Sequence, residues 1–431
     1  MPDAPRIHWF SPLAPARTDI AHYTGRLLPA LSARAAVTLW TSQPHWYSGL
    51  KRYATVRRFD PVEIRWEAIN EADAVFYNIG NDARFHNDIA AVARRFPGFS
   101  ILHDVLLHDS LTYDFKRRND RASYLDVMQS VYGARGRRDG ELYWKGVLGM
   151  HEMGRAYSCA PYFLGASLGA IVHSRAAERA LSKEVDVPVI RLPLPFPARR
   201  RAPNRLLPAP PWKLVVFGFL GENRCLEQIL TALARLPDLP FQLHIYGEDC
   251  GGLAALRERV RGDSRVTLHG FVPESELDAA LASAHLALNL RYPTKGEASG
   301  SQLRIWSHGL PSLVTRVGWY TELPADTVSF VRPEFLVEDL CAHLRAYAAC
   351  PASYVEAGLR GCDYFVERHS PAAYAAQIVE LASKAAAYRQ RWNALRMSSR
   401  AVVGLRGWLP TEQLGGYVER VAEVVGELSL I

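Results

Sequence analysis

The segment VVFGFLGENRCLEQIL (residues 215–230) decides the fold class of this chain. Its first residues are apolar, β-branched or aromatic, which is typical of a strand buried in a parallel sheet. The strand is predicted to end at Gly218, a short polar loop follows, and a helix is predicted to begin within residues 224–227. A strand that passes through a glycine turn into a helix is the repeating unit of doubly wound α/β sheets.

The same alternation continues on both sides of this segment. In the second half we predict strands in the runs KLVVFGF (213–219), FQLHIYG (241–247), RVTLHGF (265–271), LALNLRY (286–292) and PSLVT (311–315). In the first half we predict strands in RIHWF (6–10), AVTLWT (36–41), AVFYNIG (74–80), SILHD (100–104) and AIVHS (170–174). With 431 residues the chain is long enough for two cores. We therefore expect an α/β protein with two Rossmann-like, doubly wound domains that face each other across a central cleft.

A proline-rich stretch separates the two series of strands. Residues 193–212 hold seven prolines, which disfavour both a helix and a central strand, so this stretch is interpreted as a linker. Residues 110–165 are predicted to form a helical insertion, rich in aromatic side chains and arginine, that caps the sheet edge. The predicted boundaries are an N-terminal domain (1–195), a linker (196–212), a C-terminal domain (213–369) and C-terminal helices (370–431), the first of which returns to the N-terminal domain.

Composition and charge narrow the functional classes. The net charge of +7 favours an acidic partner, but the basic clusters are scattered and form no nucleic-acid motif, so no nucleic acid is expected. The six cysteines show no C-x-x-C pair, and the histidines lack the spacing of metal ligands, so no metal site is expected. The chain starts without a signal-peptide pattern, and its longest apolar run is too short to span a bilayer. We expect a cytoplasmic protein, with peripheral contact to an anionic membrane left open.

Two loops of the second half are candidates for an anion site. Arg224 lies where a helix begins, and a guanidinium pairs well with phosphate oxygens. The sequence GEASGS (296–301) follows a predicted strand and precedes a predicted helix, so its backbone N–H groups suit a phosphate. Glu297 beside an anion site suits neutral sugar hydroxyls. The alternative for Ser299 and Ser301 is a plain helix cap.

Polar residues also follow the predicted strands of the first half. In a parallel sheet these ends lie along one edge, where ligands of such folds bind. They are Ser11, residues 78–82, His103, Asp104 and residues 173–174.

Several motifs resemble one enzyme family. FGFLGENRCLEQIL (217–230) and the long run from RVTLHGF to YTELP (265–324) resemble the nucleotide-sugar domain of the retaining glycosyltransferases of family 4, which have the GT-B fold. IGNDARFHNDI (79–89) and ILHDVLLHDSL (101–111) are similar to the acceptor domain of bacterial members. The resemblance covers roughly residues 6–385.

The resemblance implies roles for individual residues. The catalytic candidates are His103, Asp104, Arg224 and Glu297. The donor-binding candidates are Gly218, Asn223, Arg224, Gly270, Phe271, Val272, Glu297, Ser299, Gly300, Ser301 and Gln302. The acceptor-binding candidates are Asn81, His86 and His108.

The sequence departs from the family pattern in three places. Phe219 stands where an arginine commonly follows the glycine of the first phosphate loop. Arg304 stands where a second glutamate usually holds the ribose. Thr18 and Asp19 stand where relatives often have a glycine.

These observations predict a retaining, metal-independent hexosyltransferase in glycan or polysaccharide synthesis. Its donor would be a UDP- or GDP-linked sugar, its acceptor a saccharide or a lipid-linked saccharide, and it would need no cofactor. A catalytically degenerate GT-B protein that acts as a binding or scaffold subunit is the alternative. A nucleotide-sugar epimerase would need an acid-base carboxylate pair, which is not identifiable. Nucleic-acid binding would fall steeply with salt.

Overall fold

The structure is a computed structural model that describes residues 4–199, 205–248, 257–405 and 420. The chain forms two compact units. Unit 1 consists of Met1–His173, Glu178–Leu192 and Ala372–Ile431, and unit 2 consists of Ser174–Ala177 and Pro193–Pro371. Both units are built from parallel strands that alternate with helices.

Unit 1 contains a seven-stranded parallel sheet in the order β3-β2-β1-β4-β5-β6-β7. Its strands are β1 (Arg6–Phe10), β2 (Ala36–Thr41), β3 (Thr55–Arg58), β4 (Ala74–Ile79), β5 (Gly98–Leu102), β6 (Ser167–Val172) and β7 (Val189–Arg191). Every residue of β4, β5 and β6 is buried, which is why these segments are mostly apolar. Their polar residues Asn78, Ser100 and Ser167 are buried as well.

Unit 2 contains a six-stranded parallel sheet in the order β10-β9-β8-β11-β12-β13. Its strands are β8 (Trp212–Phe217), β9 (Phe241–Tyr246), β10 (Val266–Gly270), β11 (Leu286–Asn289), β12 (Ser312–Thr315) and β13 (Ser329–Val331). Apolar clusters cover both faces of this sheet: Leu214 and Val216 of β8 belong to one, and Val215 and Phe217 to the other.

The helices follow the strands along the chain. They are α1 (Asp19–Ser32), α2 (Trp66–Asn70), α3 (Ala83–Ala93), α4 (His108–Arg117), α5 (Arg121–Trp144), α6 (Met150–Ala156), α7 (Ala160–Phe163), α8 (Arg175–Leu181), α9 (Leu226–Ala234), α10 (Glu274–Ser283), α11 (Gly300–Ser307), α12 (Leu336–Ala349), α13 (Pro351–Arg368), α14 (Pro371–Ser383) and α15 (Ala385–Leu405). The segment predicted as a helical insertion contains α4 to α7. No helix in the part of the chain that the structure describes is both long and apolar enough to cross a membrane.

α14 and α15 pack on other elements of unit 1. The hydroxyls of Tyr374 in α14 and Tyr23 in α1 are joined by a hydrogen bond of 2.8 Å. Tyr388 in α15 meets the ring of Phe99 in β5 edge-on, with the ring centroids 5.0 Å apart. Segments from both ends of the chain therefore share one core.

The two parallel sheets confirm the predicted pair of Rossmann-like domains. All ten predicted runs contain strands, although several strands begin or end one to three residues away from the predicted limits. Three short strands were not predicted: β3, β7 and β13. β3 and β7 end the sheet of unit 1, and β13 ends the sheet of unit 2. Edge strands are buried less completely, so β3 (TVRR) lacks the apolar signal of its neighbours.

Candidate functional site

In unit 2 the strand order reverses between β8 and β11, which are hydrogen-bonded neighbours. At such a switch point the loops that follow the two neighbouring strands lead to opposite faces of the sheet. They leave a crevice at the carboxyl ends of the strands, where ligands of α/β proteins bind. β8 leads to Gly218 and Arg224, and β11 leads to Glu297 and the helix that begins at Gly300. The topology therefore brings the two predicted phosphate loops to one place.

Arg224 is held rigidly at this edge. It ends a single 3-10 turn (Glu222–Arg224), and the residue is only 1% exposed. Its Nε donates to the Phe219 carbonyl oxygen (3.2 Å), and its Nη1 donates to Oδ1 of Asn289 (3.2 Å). The side chain passes directly beside Gly218, where a Cβ would stand 2.2 Å from Arg224 Nη2. The glycine at this strand end is thus required by the close approach of the guanidinium and by its own φ of +114°.

Asn289, at the end of β11, connects the two loops. Its Nδ2 donates to Oε1 of Gln302 (3.0 Å) and lies 3.4 Å from Ser299 Oγ, while its Oδ1 accepts from Arg224. Gln302 in turn donates from Nε2 to Ser312 Oγ (2.8 Å). This buried network fixes Arg224 relative to the start of α11. Asn289 was not among the residues predicted from the sequence, although an asparagine at the end of an otherwise apolar strand is a usable signal.

The GEASGS turn begins α11 as predicted. Ser299 is the N-cap residue, and its hydroxyl accepts from the Gln302 N–H (3.1 Å), so the plain-cap interpretation is correct for this serine. The first N–H groups of any helix have no partner within that helix. A Cβ at Gly300 would meet no atom within 4 Å, so the start of the helix is not covered on the side of this Cα. The same turn can therefore cap the helix through a side chain and bind an anion through its backbone.

Glu297 is held within its own loop. Its Oε2 accepts from the Thr294 hydroxyl (2.9 Å) and from the Lys295 N–H (2.7 Å). Its Oε1 lies 3.8 Å from Nε of Arg291, and both side chains are mostly buried. One carboxylate oxygen thus fixes the orientation of the side chain, and the other faces a guanidinium that the sequence interpretation did not consider.

Tyr320 also belongs to this group and was not predicted. It lies in a 3-10 turn (Gly318–Glu322) that follows β12, and the residue is 3% exposed. Burial raises the pKa of its hydroxyl, while the nearby charge of Arg291, the Ser299 hydroxyl and the charge of Arg224 oppose that effect. The tyrosine therefore faces the same residues that form the candidate anion site.

The loop after β10 contains the residues predicted to contact the nucleotide base. Gly270 has a φ of +70°, and its carbonyl accepts from the Gly247 N–H (2.7 Å). Phe271 is 54% exposed, which leaves its ring accessible, whereas Val272 packs partly against the core. Asn223 is fixed through its backbone, because its carbonyl accepts from the Tyr292 N–H (2.9 Å).

Arg304 is a structural cation in this chain. Its guanidinium donates to Glu274 Oε1 (3.1 Å) and to Asp278 Oδ1 (3.0 Å), and both acids lie in α10. Burial alone would raise the pKa of Asp278, but Arg304 and His308 outweigh it and hold the pKa below the ordinary value. The position at which the resembling family has a ribose-binding glutamate therefore joins α11 to α10.

In unit 1 the predicted catalytic pair lies directly after β5. His103 Nε2 is 3.0 Å from Oδ1 of Asn78, and Asn78 Nδ2 donates to the Phe10 carbonyl. Because the Asn78 oxygen must then accept, His103 carries its proton on Nε2 and keeps a lone pair on Nδ1. Burial, reinforced by His173 and His86, lowers the pKa of His103 well below its ordinary value. The ring is therefore neutral at physiological pH.

Asp104 and Asn81 connect two loops at the same sheet edge. The Asn81 N–H donates to Asp104 Oδ2 (2.8 Å), and Asn81 Nδ2 donates to Asp109 Oδ2 (3.0 Å). Asn81 Oδ1 accepts from the Ser110 N–H (3.1 Å), so the first turn of α4 is tied to the loop after β4. The structure thus brings three of the predicted residues of unit 1 together at the ends of β4 and β5: Asn81, His103 and Asp104.

The two remaining acceptor candidates are buried. His86 Nδ1 contacts the Asn78 carbonyl (3.0 Å), and burial lowers its pKa to about 4. His108 lies among α4 to α6, where its ring nitrogens contact the Tyr124 hydroxyl (3.0 Å) and the Met150 sulfur (3.3 Å). In this structure both histidines stabilise packing, and an acceptor contact by either stays a prediction.

At the loop that replaces the glycine of the resembling family, Thr18 caps α1. Its hydroxyl accepts from the Ile20 N–H (3.4 Å), and Asp19 is the first residue of the helix. In this structure Thr18 therefore has a capping role.

A shallow cavity of about 420 Å³ adjoins Asp109 on the helical segment. It is lined by charged, polar, aromatic and aliphatic side chains: Asp109, Thr112, Tyr113, Lys116, Arg117, Tyr143 and Met150. The Lys116 ammonium lies 4.0 Å from the centre of the Tyr143 ring. Aromatic surface next to hydrogen-bonding groups is suited to a sugar ring.

Within residues 4–199, 205–248 and 257–405, no group of three or more His, Cys, Asp or Glu residues is placed to hold a metal ion. The metal-independent reaction stays a prediction.

Comparisons with known proteins identify structures that have the same fold as this chain. The sequence matches no protein-family profile, and it has no significant match among curated proteins. Among solved structures, sucrose-phosphate synthase from Thermosynechococcus elongatus is similar with a TM-score of 0.60 at 16% identity, over 90% of this chain and 100% of that chain. A glycosyltransferase from Rickettsia africae has a TM-score of 0.61 at 9% identity, over 89% and 99% of the two chains. The chain shares the GT-B fold of these glycosyltransferases.

A third similar structure holds a ligand. Anabaena HepE, in complex with UDP-glucose, has a TM-score of 0.57 at 14% identity, over 88% of this chain and 99% of that chain. At these identities the similarity establishes the fold alone.

Proposed function

We propose that this protein is a glycosyltransferase that moves a hexose from a nucleotide diphosphate donor to a saccharide or lipid-linked acceptor, with retention of anomeric configuration. The observation that carries the proposal is the convergence, at the switch point of unit 2, of buried Arg224, the open N-terminus of α11 and the carboxylate of Glu297. Cationic and N–H groups match a diphosphate, and a fixed carboxylate matches sugar hydroxyls. A UDP-linked sugar is the first donor to test, because HepE of the same fold holds UDP-glucose.

The main requirement of this reaction is that the protein stabilises the negative charge on the departing diphosphate. Arg224 and the amides at Gly300 and Ser301 would stabilise that charge, and they cost little reorganisation because the Asn289 network already holds them in place. These groups supply the positive charge that a divalent cation supplies elsewhere, so we propose a metal-independent reaction. Activity should survive treatment with EDTA.

Retention without a protein nucleophile requires the acceptor to attack from the face that the diphosphate leaves. A diphosphate oxygen then takes the acceptor proton, the bond from the anomeric carbon to the diphosphate breaks, and the new glycosidic bond forms. Neutral His103 would accept a hydrogen bond from a sugar hydroxyl through Nδ1. Asp104, oriented by the Asn81 N–H, would bind a further hydroxyl.

We assign the acceptor to the sheet edge of unit 1 and to the cavity beside α4. Tyr113 is 45% exposed at this cavity and offers a ring face for a sugar, while Lys116 and Arg117 suit an anionic acceptor such as a lipid-linked phosphate. Sedimentation with vesicles that contain anionic lipid tests the membrane contact. Vesicles of neutral lipid are the matched control.

A donor screen followed by product analysis tests the proposed function. UDP-, GDP- and TDP-sugars are first ranked by thermal stabilisation, because a ligand of the native state raises the melting temperature. Donor hydrolysis and transfer are then measured for the wild type and for Glu297→Gln, and the anomeric configuration is read by NMR. Transfer with retention that falls at least 100-fold in the variant supports the proposal. Failure of every activated sugar to bind would refute it.

One observation favours a catalytically degenerate binding subunit. Arg304 is engaged with two acids at the position of the ribose-binding glutamate, and Phe219 replaces a cation. A wild type that binds a nucleotide but neither hydrolyses nor transfers any sugar, with Glu297→Gln binding equally well, would support this second function.

A further inference from the structure

Arg291 is a second guanidinium at the switch point of unit 2. Its backbone N–H donates to the Thr315 hydroxyl at the end of β12 (2.8 Å). The next N–H, of Tyr292, donates to the Asn223 carbonyl in the loop that holds Arg224 (2.9 Å). These two bonds fix the backbone of Arg291 between the end of β12 and the Arg224 loop.

The side chain of Arg291 is 14% exposed and faces the candidate site. Its Nε lies 3.8 Å from Oε1 of Glu297, which is longer than a hydrogen bond. Arg224 and Arg291 both act on the thiol of Cys225: burial raises its pKa to about 11, and the two cations oppose that rise. Both guanidinium groups therefore lie in one neighbourhood.

Tyr320 completes this neighbourhood. Its turn packs on the Glu297 loop, because a Cβ at Gly318 would stand 3.3 Å from the side chain of Thr294. The hydroxyl of Tyr320 is buried and makes no hydrogen bond of ordinary geometry with the described residues, although the Ser299 hydroxyl is close enough to affect its pKa. A buried hydroxyl without such a bond is costly, and a ligand oxygen would remove that cost.

We propose that Arg291 and Tyr320 form a second diphosphate subsite, which supplies the cation that Phe219 does not. This inference rests on the proposed function. Arg224 and Arg291 would each bind one phosphoryl group, since a guanidinium pairs with phosphate oxygens through parallel N–H donors. The Tyr320 hydroxyl donates to a phosphate oxygen.

The subsite also gives Glu297 two arrangements. In the structure, Oε2 is held by Thr294 and Lys295 while Oε1 faces Arg291. A diphosphate that binds Arg291 takes over this cation and leaves Oε1 for a sugar hydroxyl. Donor binding at the phosphate end thereby prepares the carboxylate at the sugar end.

Titration with a nucleotide and its nucleoside tests the subsite. UDP and uridine, and likewise GDP and guanosine, are titrated against the wild type, Arg291→Gln and Tyr320→Phe, by calorimetry and by ligand-observed NMR. We expect Arg291→Gln to weaken binding of the diphosphate about 10- to 100-fold, and Tyr320→Phe to weaken it about 5-fold. Nucleoside affinity should stay within twofold in both variants.

Matched controls remove the same groups elsewhere in unit 2. Arg345→Gln deletes an exposed guanidinium on α12, and Tyr364→Phe deletes a hydroxyl from a partly buried side chain on α13. Both should leave diphosphate affinity unchanged. Arg291→Lys, which keeps the charge without the parallel donors, should lose less affinity than Arg291→Gln, and circular dichroism verifies that each variant is folded.

The outcomes separate this inference from the proposed function. A wild type that binds UDP or GDP while Arg291→Gln binds it equally well overturns the second subsite and leaves the glycosyltransferase proposal standing. An equal loss of nucleoside and diphosphate affinity also overturns it, because the residue would then support the fold of the whole site. A wild type that binds none of the nucleoside diphosphates and activated sugars of the screen refutes both.

Discussion

Gly218→Ala is expected to remove the donor site by displacing Arg224. The new Cβ would stand 2.2 Å from Arg224 Nη2 and 3.2 Å from its Cζ, so the buried guanidinium must move by about 1 Å or more. Its hydrogen bonds to Asn289 and Phe219 would be lost or weakened, at roughly 1.5–3 kcal/mol for the stronger one. A non-glycine residue at φ +114° adds roughly 1–3 kcal/mol of strain. We expect a total loss of about 4 kcal/mol in the free energy of unfolding of unit 2.

A matched glycine separates the two contributions to this loss. Gly262, also in unit 2, has a φ of +82°, and a Cβ there would meet no atom within 4 Å. Gly262→Ala should therefore show the strain alone, roughly 1–3 kcal/mol, and should leave nucleotide binding unchanged. Chemical unfolding measures both variants, and calorimetry with UDP measures binding, which we expect to fall at least tenfold in Gly218→Ala only. Equal stability and equal UDP affinity in the two variants would refute the reasoning.

Three further predictions concern buried polar groups. Arg304→Glu places a third carboxylate beside Glu274 and Asp278. The variant should therefore lose about 3 kcal/mol in the free energy of unfolding, measured by chemical unfolding, without a gain in UDP affinity. A variant as stable as the wild type would contradict this prediction. Burial lowers the pKa of His108 to about 4, so its contribution to stability is complete above about pH 6.5 and is lost as the pH falls towards 4. When the pH is lowered from 7 to 5, the free energy of unfolding of His108→Gln should fall by about 2 kcal/mol less than that of the wild type. If stability depends on pH with the same slope in both proteins, this interpretation is wrong. Tyr374→Phe removes the hydroxyl bond between α14 and α1, so amide hydrogen exchange in α14 should be several-fold faster, with unchanged exchange in β8 as the internal control.

The predictable part of the fold depended on complete burial. Central strands such as β4 and β8 are apolar apart from Asn78 and Lys213, and Gly218 and the GEASGS turn mark where the chain leaves the sheet. The edge strand β3 escaped prediction because arginines fill half of it. A buried strand can be predicted from its apolar composition. An edge strand cannot, because its position in the sheet depends on the neighbouring strand with which it pairs.

The candidate site was predictable only where a loop has a local pattern. Arg224 and Ser299 lie in recognisable strand-to-helix turns. Arg291 and Tyr320 follow different strands, and their proximity arises only from the parallel pairing of β11 with β12. His108 was predicted as an acceptor-binding residue, but its ring is buried against Tyr124. The sequence alone does not show whether a helix directs such a side chain towards a ligand or towards the core.

The path of the chain through the two units has a consequence for biosynthesis. Unit 1 contains segments from before and after unit 2, and its core includes Tyr374 and Ile378, which are almost fully buried. During translation the core of unit 1 cannot be completed until these residues have been synthesised, and by then the whole of unit 2 has been synthesised. Unit 2 is therefore expected to reach its native state first, and nascent chains that end before residue 371 should leave unit 1 dependent on chaperones.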